Sequence, residues 1–312
     1  MCRDEFLDYL CCPKCRGELL KKRERLCCHD CQETYEIIGR NIVKVASSLP
    51  KDKAFSMEKW DKIYQEQLET KSYIVDRETE ISKVLYKEIY EEITRARKID
   101  SSTVYLEIGC GPMVLGELIA SEAKLVIGVD FSPSALKIVE QSYRERGLRN
   151  YLLILADIKS MPIKDNCVDL IYGGGVLEHF LDTEGAVKEL RRVLKVGGVS
   201  FTTVPYLNLT ALTYRQLTGH IPNFPILKQL AEFVHCKILK GNHMLYGYEL
   251  SFLGSTMKKI HEKAGFKKVT IDRFKITVSP LFVKNIFLKR ICAWLVCNSR
   301  LFWPLIKIVA EK

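Results

Sequence analysis

The sequence predicts an α/β protein: a doubly wound, mostly parallel sheet, preceded by a small cysteine-rich unit and a helical linker. Three observations predict it. From residue 103 onward, short apolar runs alternate with amphipathic helical stretches, the pattern of parallel βαβ units. A glycine turn, Gly109-Cys110-Gly111, follows the first of those runs. Seven of the twelve cysteines fall within the first 31 residues. At 312 residues the chain can bury a large core and carry more than one domain.

Residues 1–46 form the cysteine-rich unit. Cys12-Pro13-Lys14-Cys15 and Cys28-His29-Asp30-Cys31 are two CxxC knuckles separated by twelve residues. That spacing suits four thiolates around tetrahedral zinc, which substitutes for a core in a segment too small to make one. Cys11 and Cys27 each precede a knuckle and compete for the site, and His29 is an alternative fourth ligand; the Cys-Pro-Lys-Cys run and the following Tyr35 favour Cys12, Cys15, Cys28 and Cys31. The run Leu7-Asp8-Tyr9-Leu10-Cys11-Cys12-Pro13-Lys14-Cys15, with Tyr35-Glu36-Ile37-Ile38-Gly39 beyond the second knuckle, resembles the short zinc-ribbon family whose stand-alone members act as methyltransferase activator subunits. That resemblance implies a docking role for the unit.

Residues 47–100 form the linker. Trp60, Ile63, Tyr64 and Leu68, then Val84, Leu85, Ile89 and Ile93, stand at helical spacing and predict two helices. The domain that follows spans 101–280. Strands are predicted at 103–108, 125–129, 151–155, 168–172 and 199–204, and helices near 114–122, 133–146 and 183–195. Residues 205–250 break the rhythm with prolines and aromatics and read as an acceptor-side insertion; a helix at 253–264 and a strand at 267–273 resume it. Residues 281–312 form a basic amphipathic tail with six Lys/Arg against Glu311 alone.

The glycine turn carries the functional reading. Gly109 and Gly111 allow close approach of backbone to a ligand. A dinucleotide fingerprint needs a glycine at position 114, where this chain has Val114, and no Gly-Lys-Ser/Thr ending follows. Asp130, at the tip of the second strand, suits two ribose hydroxyls, and Asp157, just past the third, suits an adenine amino group. Together they describe a nucleoside bearing something other than phosphate.

Glu107-Ile108-Gly109-Cys110-Gly111, Val129-Asp130-Phe131-Ser132, Ala156-Asp157, the run from Gly175 to Asp182 and the run from Glu189 to Gly198 resemble the class I S-adenosylmethionine-dependent methyltransferases of Rossmann-like fold, over roughly 103–273. The resemblance implies that Glu107, Gly109 and Gly111 lie by the methionine part. Asp130 with Phe131 would then hold the ribose side, Asp157 with Ile158 the adenine, and Gly173 and Gly174 would line the pocket. Members often have a further glycine where this chain has Met113, a side chain expected to crowd the cofactor.

A sulfonium methyl is already electrophilic, so a base is needed only where the acceptor must lose a proton. His179 is the candidate catalytic residue; Tyr206, His220, His243, Tyr246, Tyr248 and Glu249 are further acceptor-side candidates. The turn after the fourth strand lacks the Pro-Pro-Tyr and Pro-Cys signatures of base-methylating enzymes. The expected activity is therefore direct methyl transfer to a small-molecule, lipid-linked or glycan acceptor. RNA is the alternative, less favoured because residues 1–46 balance nine basic against eight acidic residues. With no run of ~18 apolar residues and a charged N-terminus, the expected location is cytoplasmic. Residues 281–312 predict either peripheral contact with the inner membrane face or an apolar face packed on the chain's own core or on a second subunit.

Overall fold

The structure, a computed structural model, describes residues 5–39, 41–45, 54–274 and 285–312. A single-turn helix over Glu5–Tyr9 leads into an antiparallel meander of β1 (Leu19–Lys22), β2 (Arg25–Cys28), β3 (Thr34–Ile38) and β4 (Ile42–Lys44). The linker holds three helices rather than two: α1 (Ala54–Thr70), α2 (Ser72–Glu78) and α3 (Glu80–Ala96). Lys71, at φ 56°, breaks the first from the second. Thr79 breaks the second from the third: it is extended, and its side chain accepts a hydrogen bond from the Ser82 amide to cap α3.

The alternating region gives β5 (Val104–Ile108), α4 (Val114–Ala120), β6 (Leu125–Asp130), α5 (Pro133–Glu145), β7 (Tyr151–Leu155), β8 (Val168–Gly174), α6 (Thr183–Val193) and β9 (Leu194–Pro205). Helix α5 starts where the sequence says it should: the Ser132 hydroxyl accepts from the Ala135 amide, and Pro133 occupies the first turn. The 205–250 excursion contains α7 (Leu209–Leu212), β10 (His220–Pro222), α8 (Pro225–Glu232) and β11 (Glu249–Ser251), with β10 and β11 paired in parallel. The chain then forms α9 (Gly254–Lys263), β12 (Lys268–Arg273), α10 (Ile286–Asn298) and β13 (Leu305–Glu311).

One sheet of eleven strands unites nearly all of this, in the order β1-β2-β3-β4-β7-β6-β5-β8-β9-β13-β12. The six strands from β4 across to β9 are parallel, and β13 is antiparallel to both of its neighbours. Alternate residues of each strand feed opposite faces. Leu106, Ile127 and Ile154 share a core with α6, α9 and the ribbon residues Phe6, Leu10 and Leu26. Tyr105, Val126 and Leu153 share one with α3, α4 and α5.

Two boundaries differ from the sequence reading. The ribbon is not a separate body: β4 pairs with β7 in the register Ile42↔Leu153 to Lys44↔Leu155. The Cys11 amide donates to the Pro162 carbonyl at 3.0 Å and the Lys164 amide to the Tyr9 carbonyl at 2.9 Å. The tail is not one element either. Residues 305–311 fill the sheet between β9 and β12, because Ile306, Ile308 and Ala310 alternate into the core. The exposed apolar character belongs to α10, through Phe287, Leu288 and Trp294. Residues 281–284 of the predicted tail lie outside the described residues.

Candidate functional site

Strands β5, β6 and β7 step toward the ribbon edge, after which β8 returns to lie against the other side of β5. Where the winding reverses, the carboxyl ends of the strands diverge and leave a crevice, the usual ligand position in such sheets. Here it is lined by Gly109 after β5, Asp130 and Phe131 at the end of β6, and Asp157 and Ile158 after β7. Gly174 to Val176 at the end of β8, His179 and Phe180 close the far wall.

The glycine turn is held by the acid at its side. Asp130 is buried; its two carboxylate oxygens accept from the Gly111 and Ser132 amides, each at 2.9 Å. Burial pushes its carboxyl up to about 6 against the pull of those amides. Gly109 has φ 54°, and a Cβ there would come within 2.6 Å of Val176 Cγ2, so both the backbone and the space require glycine. Asp157 caps the following turn by accepting from the Lys159 amide at 3.0 Å.

Not every expected residue lies on the wall. Glu107 sits beneath the turn, where Oε2 accepts from the Tyr105 hydroxyl at 3.0 Å and the Gly116 amide at 2.9 Å, and burial raises it to about 8. The Gly111 amide holds Asp130, and a Cβ on Gly111 would stand 2.7 Å from the Tyr64 hydroxyl. Gly173 packs on Ile108, whose side chain lies 2.7 Å from where a Cβ would project. Met113 does not crowd the crevice. It takes the left-handed φ of 50° itself and buries its side chain in the core against Gly116 and Gly128.

The wall the sequence did not reveal comes from α1. Ser56, Met57, Trp60 and Tyr64 cover the crevice. Asp61 anchors that helix, accepting from the Ser132 hydroxyl at 2.5 Å and the Ser134 amide at 3.3 Å. Trp60 is stacked on Tyr64 at 5.7 Å and on Tyr246 of the insertion at 5.2 Å. The apolar helical spacing was legible; that it turned toward the strand ends was not.

Of the acceptor-side candidates, His179 alone among the described residues lines the crevice. Its Nδ1 lies 2.8 Å from the Tyr248 carbonyl. A carbonyl only accepts, so Nδ1 carries the proton and Nε2 keeps its lone pair. Burial lowers His179 to about 4, which makes it a weak base. The others are engaged elsewhere. The Tyr248 hydroxyl donates to Glu232 at 2.6 Å, and His243 Nε2 meets His235 Nδ1 at 2.8 Å. Tyr246 stacks on Trp60, Tyr206 bridges to Phe252, and His220 lies beside Glu249.

In the ribbon, Cys12, Cys15, Cys28 and Cys31 bring their sulfurs within 4.8 Å of one another. Cys12 and Cys31 are 3.6 Å apart, and Cys15 and Cys28 3.4 Å. A tetrahedron with Zn–S of ~2.3 Å has edges of ~3.8 Å, so the donor set fits zinc. Cys11, Cys27 and His29 stand outside the cluster.

Residues 106–202 match the family model for the methyltransferase domain. A demethylmenaquinone methyltransferase of Geobacillus stearothermophilus is 32% identical over 114 residues, covering 35% of this chain and 48% of its own length. One from Bacillus cereus is 26% identical over 199 residues, or 61% of this chain and 81% of its own. The chain therefore spans about half the length of the first of these relatives. Among solved structures, the complex between the Haloferax volcanii Trm112 methyltransferase activator and the putative methyltransferase contains a chain of like fold. Its TM-score is 0.50 at 12% identity, over 85% of this chain and 99% of that one. The matched span is thus similar to a methyltransferase domain, and it lies within the parallel part of the sheet.

Proposed function

We propose that this chain is an S-adenosylmethionine-dependent methyltransferase that transfers the methyl group directly to a small apolar or lipid-linked acceptor. The observation that carries this reading is the crevice at the winding reversal, inside the span that matches the methyltransferase domain. Its residues fit an adenosyl sulfonium. The Cβ-free Gly109 leaves room against the turn, Asp130 can accept from ribose hydroxyls, and Ile158 and Phe131 offer apolar faces beside Asp157. A bound cofactor would supply an electrophilic methyl. The chain's own part is to orient the acceptor and exclude water, for which α1 and the insertion form a cover.

Relatives named for demethylmenaquinone support an apolar acceptor. So do the exposed Leu217, Ile226 and Leu230 on the insertion and, separately, Phe287 and Trp294 on α10, apolar side chains suited to peripheral contact with a membrane. No helix among the described residues is long and apolar enough to cross a membrane. The test is transfer of labelled methyl from S-adenosylmethionine into separated lipid, RNA and metabolite pools. Label in the lipid or apolar-metabolite pool is expected; label confined to RNA would overturn the acceptor class.

The reading also fixes a pH dependence. An acid with pKa about 6 is neutral below that value and ionised above it. Ribose hydroxyls need the ionised form as acceptor. Affinity for S-adenosylhomocysteine should hold from pH 8 to 7 and fall below 6, approaching about tenfold per pH unit. Calorimetric titrations that stay flat from pH 8 to 5 would show that binding does not depend on ionising Asp130 in that range.

A further inference from the structure

A second cluster of ligand-type side chains lies beside the crevice, where the turn after β8 meets β11. Glu178, His179 and Glu249 bring one carboxylate oxygen, one ring nitrogen and one carboxylate oxygen within 4.8 Å of one another. Both carboxylates are buried, Glu178 to 3% exposure and Glu249 to 8%. Oε2 of each makes no hydrogen bond. Two desolvated carboxylates facing each other without donors are costly unless something positive or a proton sits between them.

The surroundings do not supply enough charge. Arg215 is the nearest cation acting on both acids, and its Nη1 also makes no hydrogen bond. One guanidinium does not balance both carboxylates when they are ionised. His220 Nε2 is 3.2 Å from Glu249 Oε2 but not in hydrogen-bonding geometry. The third member is already oriented: Nδ1–H of His179 donates to the Tyr248 carbonyl, which directs the Nε2 lone pair away from that bond. A neutral imidazole fixed by a carbonyl is the arrangement a metal-binding histidine usually has.

We propose that Glu178, His179 and Glu249 form a binding site for a divalent cation of the oxygen- and nitrogen-preferring class, such as Mn2+. Two carboxylates and one imidazole leave coordination positions for water or for an oxygen of a second ligand. Because His179 also lines the crevice, the cation stands at its edge. If the methyl-transfer reading holds, the cation would draw an acceptor hydroxyl into place and lower its pKa, the help that His179 alone, as a weak base, does not give.

Cation binding can be measured without any nucleoside, so its failure is separable from failure of the methyltransferase reading. The full chain, zinc-loaded at its cysteines, is titrated with Mn2+ and followed by electron paramagnetic resonance and by thermal unfolding. One equivalent of Mn2+ should lose its free-ion signal, and the unfolding midpoint should rise with Mn2+ concentration. Glu249→Gln and Glu178→Gln should each weaken binding at least about 100-fold, the loss of a direct ligand exceeding that of an outer-shell partner. Thiolates match this ion poorly, so the ribbon does not imitate the result. If the folded wild-type chain leaves Mn2+ free at millimolar concentration, or if either folded Gln variant binds it as well as wild type, the site does not exist.

Discussion

Asp130→Ala is expected to weaken binding of S-adenosylhomocysteine by at least about 100-fold, because two hydrogen bonds to a charged acceptor contribute roughly 1.5–3 kcal/mol each. The carboxylate has a second task that adds to the loss: its oxygens hold the Gly111 and Ser132 amides at 2.9 Å and so fix the glycine turn and the start of α5. Removing it strands both buried donors. Asp130→Asn separates the two roles. One amide oxygen can still hold the Gly111 or the Ser132 amide, so the turn is partly kept, while the charge is gone. Its affinity should lie between those of wild type and Ala and lose the pH dependence below 6. Adding Asp157→Ala to Asp130→Ala should abolish measurable binding. Calorimetry with the folded variants decides the matter: a double variant that binds as tightly as the parent would end the nucleoside reading of the crevice.

Cys28→Ser, or treatment with a strong zinc chelator, is expected to have the largest effect on stability. Structural zinc contributes about 10–16 kcal/mol in isolated zinc-finger peptides, and here the four sulfurs join the two knuckles at one end of the β1–β4 meander. Here the loss would not stay local. Phe6, Leu10 and Leu26 belong to the same core as Leu106 and Ile154, and β4 donates the pairing that covers β7. The Leu153 amide, bonded to the Asn41 carbonyl at 2.8 Å, should exchange with solvent much faster once the ribbon loosens. Elemental analysis should find one zinc per chain in wild type. An unchanged melting temperature and undiminished Leu153 protection after complete chelation would show that the ribbon stands without metal.

The sequence carried much of this fold, for identifiable reasons. Strands β5 to β8 read directly because buried parallel strands are continuous apolar runs, and the ends of the first three are marked by Gly109, Asp130 and Asp157; β9 begins at Leu194, five residues before its expected start. The cysteine register followed from the two knuckles together with the Cys-Pro-Lys-Cys run and Tyr35. Strand β13 did not read as a strand. Its alternation of Ile306, Ile308 and Ala310 with Lys307, Val309 and Glu311 follows an aromatic, basic stretch with the same composition, and composition drowned the period. The covering role of Trp60 and Tyr64 was hidden for another reason. Helical spacing gives an apolar face but not what it meets, and here it meets strand ends some 50 residues or more away in sequence. Gly173 and Gly174 looked equivalent; a one-residue step on β8 sends one toward Ile108 and the other toward the crevice. Glu178 drew no notice because its partner, Glu249, arrives from the far end of the insertion.

The position of β13 sets a condition on biosynthesis. A nascent chain of 300 residues already contains β9 and β12 but not the strand that must lie between them. Until residues 305–311 leave the ribosome, β9 shows an unpaired edge, and β12 has no neighbour in the sheet. Folding of this half thus waits on distant pairings, which favours slow maturation while the gap stays open.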